Sequence, residues 1–341
     1  MKKFLSTALK FAFIGVCFWI IFRKVPMRDV YARLTGTSPV FVLLAFATVL
    51  SEPVVVALKW KLLLQKKGIV ISLAALTRIV FASNFCSVAI PSSLGADALR
   101  IFMLRGQKHS VAHSAGSLIM DRVLGVLAIV TLSLVAGALV WGQLPAHGTL
   151  LSAAGIAGIL LALIGLLASQ LPARLGPWFR ERFLPALGRR LGHRTGIETS
   201  PALRFLSRLT FKAEEAHDSF RSFREEPRTL GVVFLLNLVI QGLRILQIHF
   251  LFHAVHHPVP FFQEAAFMPM IVLLTLLPIS YFGLGIKEGA FLYFFGQAGV
   301  PSTVCLSASC ITYVLILGGM IPGAFFTLFT VKPESSGSRS P

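Results

Sequence analysis

Two stretches of this sequence set an acid and a base beside proline and glycine within apolar surroundings. In the first, Pro91, Ser92, Ser93 and Gly95 lead to Asp97 and Arg100. In the second, Pro278 and Ser280 lead through Gly283 and Gly285 to Lys287 and Glu288. Each reads as proline, serine, glycine, then acid plus base. Ionisable groups in hydrophobic sequence are costly in lipid and are tolerated where they face protein or a watery cavity. Asp97 and Arg100 are three residues apart and share a helix face. A helix restarting at Gly95 and Ala96 leaves free N–H groups that favour an anion, and Lys287 and Glu288 follow the second break likewise. Two helix N-termini flanked by Arg100 and Lys287 suit a phosphate or other anionic head group. The alternative is an internal ion pair locking each break.

Further charges lie deep in apolar segments. Asp121-Arg122 falls about a dozen residues into its segment, well below a membrane surface at ~1.5 Å per residue. Arg100 and Lys287 are candidate partners for Asp121; Glu288 and Asp97 are candidates for Arg122. A helix-to-helix ion pair that fixes packing is the alternative. Asn237, Gln241, Arg244 and Ile248 recur at helical spacing, which turns this mostly polar face inward and makes Arg244 a candidate anion ligand. Glu52 is a weaker candidate, placed to cap a kink at Pro53. The candidate substrate-binding set is Asp97, Arg100, Asp121, Arg122, Arg244, Lys287 and Glu288. The candidate breaks are Pro91, Ser92, Gly95, Pro278, Ser280, Gly283 and Gly285.

The elements that hold these residues must be membrane helices. The chain is 55% hydrophobic and 13% charged, with a mean hydropathy of +0.77, and soluble domains carry about 25% charged residues. The net charge of +18 comes from Lys and Arg gathered where segments should meet the cytoplasm, so no nucleic acid is implied. Spans are expected at 4–22, 40–58, 111–141, 149–171, 229–252 and 302–331, with 23–39 a polar connection. Lys59, Lys61, Lys66 and Lys67 mark a cytoplasmic turn. Residues 69–108 form a re-entrant hairpin from the cytoplasm, and residues 261–298 form one from the other side.

The fold class is therefore an all-α polytopic membrane protein with about six spans plus two re-entrant hairpins in an inverted repeat. Eight full spans is the alternative. One transmembrane domain covers 1–332, with halves at about 1–171 and 229–332. A cytoplasmic amphipathic connector covers 172–228, and a Ser/Pro/Gly-rich disordered tail covers 333–341. Both termini are expected in the cytoplasm.

Cys17, Cys86, Cys305 and Cys310 sit in apolar sequence without CxxC spacing and read as small hydrophobes. His249, His253 and His257 follow i, i+4, i+8 spacing, and His109 and His113 follow i, i+4. No acid or cysteine neighbours the first set, so no metal and no cofactor is expected. There is no Walker loop, HExxH or GxSxG, so an enzyme is not expected either.

Taken together, Pro91 to Arg100, Asp121-Arg122-Val123-Leu124-Gly125, and Leu277 to Gly289 resemble the flippase-like transmembrane family. This is the membrane part of lysylphosphatidylglycerol synthases, also found alone in bacteria and archaea. The resemblance covers nearly the whole chain. Members often carry Gly-Glu after the first break and Arg-Glu in the second; here Gly95-Ala96-Asp97 and Lys287-Glu288 keep the charge. The likeness implies lipid translocation in a bacterial inner membrane through a cavity between broken helices. Membrane lipids are the implied ligands, and a lipid-biosynthesis enzyme is the candidate protein partner. Without the soluble synthase domain, aminoacylation is not expected. An integral-membrane transferase on a lipid-linked substrate and a non-transporting scaffold are the rival readings; a sealed core would favour the scaffold.

Overall fold

The computed structural model of the 341-residue chain describes residues 27–87, 95–105, 111–139, 226–275 and 283–330. Among these, regular structure is helical throughout: α1 (Met27–Thr35), α2 (Pro39–Gln65), α3 (Leu73–Ser87), α4 (Gly95–Arg105), α5 (Val111–Leu139), α6 (Pro227–Ala254), α7 (Phe261–Thr275), α8 (Ile286–Gln297) and α9 (Ser302–Thr330). Helices α2, α5, α6 and α9 are long and apolar enough to cross a membrane, so the chain is an all-α, multi-pass membrane protein. The expected spans at 4–22 and 149–171, most of the connector, the tail, and Pro91, Ser92, Pro278 and Ser280 lie outside the described residues.

Helix lengths run through one order twice. A helix of 27 residues is followed by helices of 15, 11 and 29; then a helix of 28 is followed by helices of 15, 12 and 29. Fifteen residues extend about 22 Å, short of the ~30 Å hydrocarbon layer. Pro39 and Pro227, Leu73 and Phe261, and Gly95 and Gly283 are equally far apart in sequence. Packing repeats in the same way. Helix α3 packs on α9 as α7 packs on α5, and α4 lies against α3 and α5 as α8 lies against α7 and α9. Between the two sets runs the α2–α6 pair. Its contacts show that the two helices are antiparallel. Lys66 meets Glu226 at 2.7 Å, Lys59 donates to Asn237 Oδ1 at 2.8 Å, Arg244 meets Glu52 at 2.5 Å, and the Ser38 N–H donates to the Ala254 carbonyl at 2.9 Å.

Two departures from the sequence reading concern the start and the middle of the described chain. The connection expected at 23–39 contains α1, whose Val30 and Leu34 sit one turn apart and pack on Leu306 and Cys310 of α9. Asp29 in its first turn and Arg33 in its last complement the helix dipole. Lys59 does not mark a turn. Helix α2 continues to Gln65, and Gly68, at φ 71°, lets the chain turn out of it. Lys59 is therefore carried inside the protein, where it pairs with Asp121 of α5 at 2.8 Å.

Apolar packing closes around this frame. Phe252, Phe267, Phe291, Phe294 and Phe295 form the largest cluster, and the Phe252 and Phe267 rings meet Phe295 edge-on at 4.8 and 5.3 Å. Trp60, Leu76, Ile79 and Leu104 form a second cluster under α3 and α4. Small residues bring α9 close to its neighbours: a Cβ at Gly319 would meet Val49, and one at Gly323 would overlap the Phe81 backbone.

Gly323→Ala should cost about 1–3 kcal/mol, because the α3 backbone must move to admit a methyl group; thermal unfolding in detergent reads this. Asp121→Ala should cost about 3–5 kcal/mol by leaving the Lys59 ammonium buried without its carboxylate. The double variant Lys59→Met/Asp121→Leu should recover most of that loss, and a double-mutant cycle isolates the coupling.

Candidate functional site

A cavity of about 480 Å³ lies where the two sets of helices meet, and α2 through α9 all contribute to its wall. Its lower-polarity lining includes Val49, Val56, Val126, Ile129, Ile271 and Met320. Its charged lining comprises Glu52, Lys59, Arg100, Asp121, Arg122, Arg244 and Lys287. Five of the seven residues expected to bind substrate thus reach one space: Arg100, Asp121, Arg122, Arg244 and Lys287. Asp97 and Glu288 stand behind the wall, each with under a tenth of its surface exposed.

The first half forms a connected ion network. Asp97 accepts from Arg100 at 3.3 Å, as the i, i+3 spacing predicts, and from Arg122 at 2.7 Å. Arg100 also donates to Ser83 Oγ at 3.2 Å and Asn84 Oδ1 at 3.1 Å, which anchors α4 to α3. Arg122 keeps half of its side-chain surface open. Of the partners considered for it, Asp97 is the one found. Asp121 takes neither Arg100 nor Lys287; it meets Lys59, which also donates to Asn237. This choice follows from α5 crossing α2 at that level. Trp60 next to Lys59 donates from Nε1 to Ser117 Oγ at 3.1 Å, one turn before Asp121.

The second half is built differently. Glu288 pairs with neither Lys287 nor Arg122. Its Oε2 accepts the Gly285 N–H at 2.6 Å and its Oε1 accepts from Ser309 at 3.4 Å. The protein's own carboxylate therefore occupies the α8 N-terminus that the sequence left open for a ligand. Gly283 and Gly285 have φ of 72° and 83°, a region that side chains rarely adopt, so both glycines of this break are conformationally required. The Lys287 ammonium lies over the Tyr313 ring at 4.7 Å and the Phe291 ring at 5.7 Å. It has no ion pair. Arg244 is held by Glu52 through Nη2 at 2.5 Å and Nε at 3.4 Å. Glu52 thus serves Arg244 across the helix pair rather than capping the Pro53 kink.

With Asp97 and Glu288 behind the wall included, five described cations around the cavity meet four carboxylates: Lys59, Arg100, Arg122, Arg244 and Lys287 against Glu52, Asp97, Asp121 and Glu288. The excess is positive. Among the described residues, two polar atoms on the wall have neither a hydrogen bond nor an ion pair: Gln247 Nε2 and Tyr313 Oη, the latter near Glu288. Buried polar groups usually find a partner, so these two are open to water or a ligand.

Sequence reasoning missed Lys59, Tyr313, Gln247 and Glu264. The clue to Lys59 was the apolar run Trp60, Leu62, Leu63 and Leu64 beyond it, which extends the helix past the charge. Glu264 contradicts the expectation that no acid stands near the histidines. Its Oε2 lies 2.8 Å from His249 Nδ1, from the next helix.

No solved structure matches the chain. A "UPF0104 membrane protein" of Methanothermobacter thermautotrophicus is 23% identical over 316 residues, spanning 90% of this chain and 88% of that protein. The family described as "Lysylphosphatidylglycerol synthase TM region" matches residues 7–323. The chain belongs to that family.

Proposed function

We propose that this protein moves a lipid with an anionic or polar head group between the leaflets of a bacterial inner membrane. The head group passes through the central cavity while the acyl chains stay against the apolar outer helix faces. Both termini lie in the cytoplasm, membrane lipids are the ligands, and the chain is not an enzyme. The observation that carries this reading is a 480 Å³ cavity walled by membrane helices, with surplus positive charge and unmatched polar groups. Such a volume is within the ~300–1,000 Å³ range of small-ligand sites. A scaffold without transport would have no need of it.

The architecture supports alternating access. The duplicated helix order, the matched packing and the antiparallel α2–α6 pair are what an inverted repeat with two broken hairpins would produce. Rocking one half against the other would open the cavity to each leaflet in turn. Within it the cations differ in availability. Arg100 and Arg244 are engaged, whereas Lys287 and the half-exposed Arg122 can take a new oxygen ligand. A phosphate offers charge-assisted bonds to both.

Lys287→Ala and Arg122→Ala should each slow translocation of a fluorescent phosphatidylglycerol analogue in proteoliposomes by about tenfold or more, the equivalent of one lost charge-assisted bond. Both variants should elute and melt as folded protein. Unchanged translocation in both would reject the reading.

A further inference from the structure

Glu264 is the one carboxylate among the described residues with no exposed surface at all. It stands in the first turn of α7, and its sole polar contact among the described residues is His249 Nδ1 on α6, at 2.8 Å. Its other oxygen, Oε1, has no hydrogen-bond partner. The surroundings are aromatic or apolar: Phe261 meets the His249 ring edge-on at 5.5 Å, and Ala266, Phe267 and Met268 are buried with it. His253, one turn along α6, is the remaining titratable neighbour. Its ring is 4.6 Å from that of His249 and stacks on Phe41 of α2. The His249 side chain is a quarter exposed and links the buried acid to the outside.

Packing does not demand an acid there. Leu73 and Phe261 open equivalent helices, so the position matching Glu264 in the first half is Leu76, also fully buried. One scaffold accepts an aliphatic side chain in one half and an acid in the other. An ionised carboxylate in this dry spot carries a desolvation cost that the neutral acid does not. Met268, one turn beyond Glu264, and Gln247 and Ile248, beside His249, all line the cavity. The pair therefore stands behind the cavity wall, between α6 and α7.

We infer that Glu264 and His249 form a proton-binding site that couples proton uptake to the opening and closing of the cavity at the α6–α7 end. This rests on the transport reading above. With that end closed, Glu264 is dry and keeps its proton. With it open, water reaches the carboxyl, which ionises and passes the proton through the His249 imidazole to the outside. No other reactant is needed. Differential proton affinity of the two states is what allows a pH gradient to shift them.

The test uses the full chain in proteoliposomes with an imposed pH gradient, following the fluorescent phosphatidylglycerol analogue. The wild-type rate should change with the gradient. Glu264→Gln should keep movement down a lipid gradient and lose the pH response. Glu264→Leu, which copies Leu76, should melt no lower than wild type. A wild-type rate indifferent to the gradient, or an equal response in Glu264→Gln, overturns the inference while leaving transport intact. If no lipid moves under any condition, the transport reading fails, and infrared difference spectra of purified protein decide the site alone. A carboxylic-acid band that titrates and vanishes in Glu264→Gln upholds proton binding; its absence overturns it. A lower melting point for Glu264→Leu would assign the acid to packing.

Discussion

The arrangement depends on one buried ion pair. Lys59 and Asp121 sit almost fully enclosed, 2.8 Å apart, and Asn237 accepts a second bond from the same ammonium. In a low-dielectric interior neither charge can stand alone, so α2, α5 and α6 must meet at this level. That point lies in the last third of α2 and the first half of the antiparallel α6. Once it is fixed, the short helices have few ways to pack. Each long helix at the end of a half takes the opposite half's first short helix on its flank, as α9 takes α3 and α5 takes α7. The space left around the knot is the cavity, and the charges that no neighbour neutralises face into it.

Much of this was legible in the sequence. Apolar length gave the four long helices to within a few residues, except at the far end of α2. The recurrence of proline, serine, glycine, acid and base gave the duplication. The same spacing argument brought Arg100, Arg122 and Lys287 to one place. Pairing was less legible, because it depends on which faces meet. Asp121 and Lys59 are far apart in the chain, and nothing local ties either to the other. Lys59 also looked like a marker of the membrane surface, since Lys61, Lys66 and Lys67 follow it closely. A positive-inside argument weighs charge without weighing burial. Helix α1 was hidden for a related reason: in nine residues its larger buried-face apolar side chains are Val30 and Leu34, too little to see until α9 supplies the surface they cover.

Duplication also makes the differences between the halves informative. The two scaffolds repeat one order of helix lengths and packing partners, yet their side-chain chemistry diverges. In the first half, α5 sends Arg122 to Asp97 on α4, and Arg100 joins them, so a single acid holds two bases. In the second half, α9 sends Tyr313 over Lys287 on α8, while Glu288 turns away to cap its own helix. A guanidinium shared around a carboxylate is tightly held. An ammonium over a ring is held by about 0.5–2 kcal/mol, less than a charge-assisted bond to a phosphate oxygen returns. The first half thus ties its charge to Asp97 while leaving Arg122 half open, and on the proposed reading the second keeps a cation that can exchange an aromatic ring for a ligand. Two chemically equal halves would have no reason to prefer either orientation of a cargo. A carboxylate-anchored network facing a loose cation gives the cavity a polarity of its own, set by side chains on helices that repeat one order of lengths and packing.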